Sequence, residues 1–318
     1  MFLKPMFRIV PDDTTIKFMR GRFAGVLVSA VLSTLSVLLF FYPGLHLGID
    51  FSGGIVMEVR TQGPADIPRL KAGIAAQGLA EPAMQRFGDA NAVMIRLGPQ
   101  PTEAATQQVI TKVREGLEAA QPGTRVVRTD AVGAAVSKEL FRDGMTALGV
   151  SMLMILFYIW FRFEWQFAVG AVVTLILDIT KAIGFLVITR LDFDLVMVGA
   201  ILTILGFSTN DKVVVYDRMR ENLRKYKTMP LRDLIDLSIN ETLNRTVGTS
   251  MTIFLASLPL AIFGTGSSLA GFSWMMLFGI VIGTSSSIFI AAPILLFLGE
   301  NRLRRDAQAP AKTAEAVR

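Results

Sequence analysis

Long apolar stretches constrain this chain more than any other feature. A helix crossing the ~30 Å hydrocarbon of a bilayer needs ~20 mostly apolar residues. Phe23 to Tyr42, Met145 to Phe161, Thr246 to Phe263 and Phe272 to Leu298 run without a charge. Phe167 to Ile188 and Leu195 to Tyr216 would do the same but for Asp178 and Lys181 in one and Asp211 and Lys212 in the other. These stretches predict a polytopic α-helical membrane protein with six transmembrane helices. The composition is of the same kind: 52% of residues are hydrophobic and 18% charged, where a soluble domain carries ~25% charged.

The basic start, Lys4, Arg8, Lys17, Arg20 and Arg22, has the look of a signal peptide. The apolar run behind it is too long, and Phe41-Tyr42-Pro43-Gly44 is no small-residue cleavage site, so a retained anchor is expected. Cysteine is absent and His46 is the lone histidine. Disulfide scaffolds and thiolate sites are excluded, and no metal site or Ser-His-Asp hydrolase is expected. The net charge of +6 lies between apolar spans, which points to residues flanking a membrane and not to nucleic acid.

Basic residues on short loops set orientation. The N-terminus, the stretch Asp217 to Asn244 with Arg218, Arg220, Arg224, Lys225, Lys227 and Arg232, and the tail with Arg302, Arg304 and Arg305 fall together on the cytoplasmic side. The expected division is a cytoplasmic N-terminus (1–22), helix 1 (23–43), an outer domain (44–142), helices 2–4 (143–216), a cytoplasmic loop (217–244), helices 5 and 6 (245–298) and a cytoplasmic tail (299–318). The tail from Ala307 is expected to be disordered.

Within the outer segment, Ile55 to Arg60 reads as a strand and Ala65 to Gln77 as a helix. Ala83 to Phe87 and Ala92 to Leu97 read as strands joined by the turn Gly88-Asp89-Ala90-Asn91. Thr102 to Ala119 reads as a helix with an N-cap threonine, and Thr124 to Thr129 as a closing strand. The order βαββαβ suggests an α+β, ferredoxin-like fold for docking or binding. Gly53-Gly54 lets the backbone turn sharply ahead of the first strand. On the inner side, two short helices broken at Met229-Pro230 are expected, with Leu231, Leu234, Ile235 and Leu237 forming a face that lies on the membrane surface.

Ionisable groups inside a span cost ~2.5–3.5 kcal/mol on insertion scales, so each needs a partner or water. Asp211 can serve as a proton-loading carboxyl or as a static partner of Lys212 or Arg245; Lys212 can also snorkel. Arg245 can pair with Glu241 at i, i+4, or it can head a polar face with Thr249 and Thr252. Asp178 and Lys181 can neutralise each other, or Asp178 can face Asp211 as a second carboxylate. Gly279, Gly283 and Ser287 form a small-residue packing face. Thr284, Ser285 and Ser286 can bond back to the helix, and Pro259 and Pro293 can kink their helices. His46 reads as an interfacial residue.

Three motifs carry a resemblance. Leu47-Gly48-Ile49-Asp50-Phe51-Ser52-Gly53-Gly54 resembles the signature after the first span of the SecF family of bacterial protein-export membrane proteins. The stretch from Gly206 through Asn210, Asp211, Asp217 and Arg218 to Asn222 is similar to that family's fourth-span motif, and Asn240 to Ser250 to the start of its fifth span. The chain differs in having Lys212 where the family often has Thr, Leu177 where it often has His, and Gly133-Ala134-Ala135-Val136-Ser137 where it usually has Gly-Pro-x-Val-Gly.

The resemblance implies a bacterial inner-membrane subunit of the RND superfamily with cytoplasmic termini and a periplasmic outer domain. It implies pairing with SecD, action beside the SecYEG translocon on a translocating polypeptide, further association with YajC, YidC and lipid, and use of the proton-motive force. Asp211 and Arg245 match the family's proton-pathway residues, and Asp178 is the added candidate. Asp50, Gly53, Gly54, Asn210, Asp217 and Arg218 match family motif positions. No cofactor is implied. The rival readings are half of an RND-type exporter of small molecules or lipids, and a passive assembly scaffold. An enzyme is disfavoured because no nucleophile–base pair or metal-ligand cluster stands out.

Overall fold

The structure, a computed structural model, describes residues 11, 14–86, 89–264 and 268–298. The readings placed on Lys4, Arg8, Phe87, Gly88, Arg302, Arg304, Arg305 and the stretch from Ala307 lie outside them. A 3₁₀ turn at Phe18–Gly21 leads into α1 (Arg22–Phe41), followed by a single turn, α2 (Ile49–Ser52). Next come β1 (Gly54–Arg60), α3 (Ile67–Ala75), β2 (Ala83–Arg86), β3 (Ala92–Leu97), α4 (Glu103–Ala120) and β4 (Arg125–Val132). Four long helices follow: α5 (Ala134–Arg162), α6 (Trp165–Thr189), α7 (Leu195–Lys225) and α8 (Leu231–Phe263). The last is α9 (Ser268–Ser286), which passes through a π turn, Ser287–Ala291, into α10 (Ala292–Phe297). Pro293 sits just past that turn. Its missing N–H and its ring disrupt the regular ladder, the usual cause of such a defect.

Among the described residues, six helices are long and apolar enough to cross a membrane, and the chain is a polytopic helical membrane protein. α6, α7 and α9 are the most buried and form the inner layer. α1, α5 and α8 turn Leu27, Leu38, Met154, Phe157 and Leu255 outward, as helices facing lipid do. α1 packs on α6, where Ser36 fills the space a side chain at Gly184 would need, and Ser29 and Ser33 are buried along α1 as well. Such small residues let two backbones approach closely.

The unit at 54–132 is one antiparallel sheet in the order β2-β3-β1-β4. Ile55, Met57, Val59, Val93 and Ile95 alternate onto the face covered by Leu70 and Ile74 of α3 and by Val113 and Leu117 of α4. α3 and α4 touch backbone to backbone, because a Cβ on Gly116 would stand 2.6 Å from the Gly73 carbonyl oxygen. Thr102 caps α4 by accepting the Ala105 N–H at 3.2 Å. Gly53 and Gly54 have φ of +69° and +123°, values that L side chains avoid.

This unit is tied to the α6–α7 connector. Phe193 N–H donates to the His46 carbonyl at 2.7 Å and Gly48 N–H to the Phe193 carbonyl at 2.9 Å. Asp50 Oδ2 accepts the Leu195 N–H at 3.2 Å. The Phe51 ring packs 5.3 Å from both Phe141 and Phe193.

The expected helix break at Met229-Pro230 is present, but the flanking helices are not short separate pieces: residues 217–225 continue α7 and 231–244 open α8, with 226–230 outside helix. Leu231, Leu234 and Ile235 do not lie on a membrane surface. They join Tyr216, Met219 and Leu223 in the bundle core, while Leu237 is half-buried. The apolar faces of two antiparallel helices cover each other, and Arg218–Glu241 and Asn222–Ser238 bonds pin them across the hairpin. At the other end, residues 134–142, assigned to the outer domain, are the first turns of α5.

Candidate functional site

α6, α7 and α9 converge on Asp178, 13 residues or ~20 Å along α6 from Trp165 by helical rise. Its Oδ2 accepts from Ser208 Oγ at 2.8 Å, Lys212 Nζ at 3.0 Å and Ser286 Oγ at 2.8 Å. Lys181 Nζ lies 3.6 Å from the other oxygen, Oδ1, which has no hydrogen-bond partner. Lys212 also donates to Ser208 Oγ and to the Ser208 carbonyl. Asp178, Lys181, Ser208, Lys212 and Ser286 are all 4% exposed or less. In an apolar interior the carboxylate persists because it meets two cations and accepts from two hydroxyls.

The small-residue face of α9 makes the convergence possible. A Cβ on Gly279 would enter Ile204, and one on Gly283 would stand 3.1 Å from Ser208 Cβ. α9 therefore sits close enough to α7 for Ser286 and Ser208 to reach the same carboxylate oxygen. Ser286 also bonds back to the Gly283 carbonyl at 3.0 Å, as the sequence suggested, but its second partner was not foreseen. Neither was the role of Ser208, one helical turn before Lys212.

Asp211 is separate. Successive helix positions point ~100° apart, so Asp211 turns toward Thr246 of α8 while Lys212 turns toward Asp178. Asp211 is buried, and its Oδ2, Thr209 Oγ1 and Thr246 Oγ1 have no hydrogen-bond partner. Several expectations are corrected by this arrangement. Asp178 faces Lys212 instead of Asp211. Lys212, 1% exposed, does not snorkel. The Glu241–Arg245 pair does not form, because Glu241 accepts from Arg218 Nε at 2.8 Å and Asn222 Nδ2 at 2.7 Å. Arg245, Thr249 and Thr252 lie exposed along α8, away from the cluster.

The motif residues near the basic end hold the helices together. Asp217 takes both its hydrogen bonds, 2.8 and 2.9 Å, from Arg162 of α5. Arg218 bridges Glu221 at 2.6 Å and Glu241, and Arg220 meets Glu164 ahead of α6 at 2.6 Å. Asn210 is exposed. Asp50, Gly53 and Gly54 form the junction with the sheet unit described above.

There, a cleft of about 850 Å³ opens between the sheet and the connector, lined by Asp50, Glu58, Arg128, Arg190, Asp194 and Trp274 among others. Asp192 at its edge accepts from His46 Nδ1 at 2.7 Å and pairs with Arg96, so His46 has a specific partner beyond the interfacial reading. Burial, reinforced by the Asp50 and Asp192 charges, holds the Asp194 carboxyl above the usual carboxylate range, against the pull of its bond from Met197 N–H.

Comparison with known proteins gives concordant matches. Residues 112–301 match the family described as protein export membrane protein SecD/SecF, C-terminal, and residues 38–65 match the SecD/SecF GG motif. The chain is 40% identical over 296 residues to the protein translocase subunit SecF of Rickettsia akari, covering 93% of this chain and 96% of that one. It is also 40% identical over 308 residues to the SecF subunit of Rhodobacter capsulatus, covering 93% and 92%. A crystal structure of SecDF, a translocon-associated membrane protein from Thermus thermophilus, superposes with a TM-score of 0.80 at 30% identity. That match takes in 92% of this chain and 40% of the SecDF chain.

Proposed function

The chain belongs to the SecD/SecF family and is a subunit of the Sec protein-export machinery; we propose that, with SecD, it uses the proton-motive force to help move polypeptides through SecYEG to the periplasm. It spans the bacterial inner membrane with both termini in the cytoplasm, and the β4-β1-β3-β2 unit is a ferredoxin-like periplasmic domain. The likeness to a chain that joins SecD and SecF supports the pairing with SecD. So does the open face of α8, where Arg245, Thr249 and Thr252 would sit unfavourably against lipid and favourably against a second helical protein. SecYEG, YajC and YidC complete the set of proposed partners. The subunit works by changing helix packing, with no chemical step of its own.

The observation that carries proton use is Asp211, a carboxyl buried within a span with one oxygen free of any hydrogen bond. Neutralising it changes how α7 packs against Thr246 of α8. One charge moved through 100 mV yields ~2.3 kcal/mol, enough to bias two packings of similar energy. The test is precursor processing in cells depleted of their own SecF and carrying Asp211→Asn at matched abundance. Unprocessed precursors should accumulate while SecD still co-purifies. Normal processing would make Asp211 structural and favour a passive scaffold.

A further inference from the structure

The Asp178 cluster holds two ammonium groups and one carboxylate. Three donors fix Asp178 Oδ2, Lys212 among them, so Asp178 and Lys212 form a neutral pair that leaves only Oδ1 without a hydrogen bond. Lys181 is the surplus cation. Its Nζ stands 3.6 Å from Oδ1, beyond hydrogen-bond reach, although the side chain is 96% buried.

Among the described residues, the elements packed against α6 offer Lys181 no other counter-charge. α7 presents Lys212 itself, while Asp211 turns to Thr246. α9 contributes Ser286, and the π turn and α10 carry no ionisable residue. Between Asp143 and Arg162, α5 has only Tyr158, which is exposed. On the α1 side there are serines. α1 and α6 run parallel and Ser36 packs on Gly184, so Ser33 falls at the level of Lys181 and Ser29 one turn nearer the basic end. Both hydroxyls are over nine-tenths buried and have no hydrogen-bond partner. Unpaired buried hydroxyls cost free energy unless they have a use or a bound water.

We infer that Lys181 is a proton-exchanging group, held beside the Asp178 carboxylate and trading its proton with water in a seam beside Ser33 and Ser29, while Asp178 and Lys212 keep their charges. In the loaded state the Lys181 ammonium leans on Oδ1. On release one N–H bond breaks, its electron pair stays on Nζ, and the proton passes to water held along the serines. Reprotonation reverses the step, and the cluster alternates between one net positive charge and none. This rests on the proton reading of the preceding section and adds to it a second exchanging group that is not a carboxyl.

The test uses the whole chain with SecD and SecYEG in proteoliposomes, reading polypeptide translocation with and without an imposed proton gradient across a pH series. Lys181→Arg keeps a cation that does not deprotonate; Lys181→Met keeps the length without the amine. Both should lower the gradient-dependent rate at least tenfold, with the gradient-independent rate and SecD association kept and the pH profile flattened. Ser33→Ala should slow it several-fold. Gradient-dependent transport retained by Lys181→Arg would reduce Lys181 to a static cation and overturn the inference, as would retention by Lys181→Met. If Arg does not fit the site and the complex falls apart, Lys181→Met decides alone. An unmodified complex indifferent to the gradient would overturn the proton reading itself, and this inference with it.

Discussion

Asp178→Leu and Lys212→Met remove opposite ends of one buried ion pair, yet the structure makes their costs unequal. Losing the carboxylate strands two ammonium groups and takes the shared acceptor from Ser208 and Ser286. Breaking a buried pair that way costs ~3–5 kcal/mol. Losing Lys212 removes its charged hydrogen bond to Asp178, worth about 1.5–3 kcal/mol, and its local donations to Ser208 one turn away on the same helix. It also ends the repulsion between Lys212 and Lys181 and leaves Asp178 with exactly one cation, Lys181, free to close its 3.6 Å gap. The net loss should stay below about 2 kcal/mol. A gap of ~2–3 kcal/mol corresponds to roughly a 30- to 150-fold difference in the folded-to-unfolded ratio at tenfold per ~1.4 kcal/mol. The assay is equilibrium unfolding of the chain with SecD in lipid nanodiscs. The double variant should be less damaged than Asp178→Leu alone, because one stranded cation has gone. If Lys212→Met proves as costly as Asp178→Leu, or the double variant is the worst of the three, the charge accounting is wrong.

Gly283→Val should push α9 away from α7, because even a Cβ there stands 3.1 Å from Ser208; a lowered melting temperature and reduced export would be measured together. Gly116→Ala should cost ~1–3 kcal/mol by overpacking, with the Gly73 carbonyl 2.6 Å from the added carbon; limited proteolysis of the whole chain should then cut within 54–132. Asp194→Asn should stabilise the chain at pH 7.5 and leave it unchanged below the unfolded carboxylate value of ~3.9. Because the folded state raises this carboxyl's pKa, its contribution is fully present below that value and is lost as pH rises through the raised one. Asn keeps the cap to Met197 N–H, so melting curves across that window should flatten, and an unchanged pH dependence would refute the assignment.

The spans were legible because insertion into lipid is decided by local composition and length, which one sequence displays. The strands and helices of 54–132 were legible for a related reason: the apolar residues of β1 and β3 alternate, while those of α4 recur at Val109, Val113 and Leu117. Pairing between helices was not. Sequence spacing offered Glu241 to Arg245 and Lys181 to Asp178, both within one helix, whereas Glu241 is held by Arg218, twenty-three positions away, and the closer cation on Asp178 is Lys212 on the neighbouring helix. Burial ranks partners by geometry, and that geometry was set by Gly279 and Gly283, whose bare backbone decides how near α9 comes to α7. Ser286 was visible as a hydroxyl near a carbonyl of its own helix. Only the α7–α9 distance gives it a second acceptor. The inner hairpin was misplaced for a parallel reason: an apolar face reads the same whether lipid or another helix covers it.

The charges within the spans and the sheet unit at 54–132 meet through one short connector. Asp178 and Lys181 lie on α6, Lys212 and Asp211 on α7, and residues 190–194 join those two helices. That same connector accepts and donates backbone bonds at Gly48 and His46, pairs Asp192 with His46 and Arg96, and caps α7 jointly through Asp50 and Asp194. A change in charge at the cluster alters the α6–α7 contact directly, and any relative shift of those helices must be absorbed where they join. The joint is bonded to the segment His46–Asp50 ahead of β1 on one side and, through Arg96, to β3 on the other. Gly53 and Gly54, with positive φ and a backbone pressed against Leu97 and Pro99, leave little slack between joint and sheet. The sheet should therefore follow the helices as a body, and the exposed pair His46–Asp192, worth at most ~1 kcal/mol, is where that junction gives first.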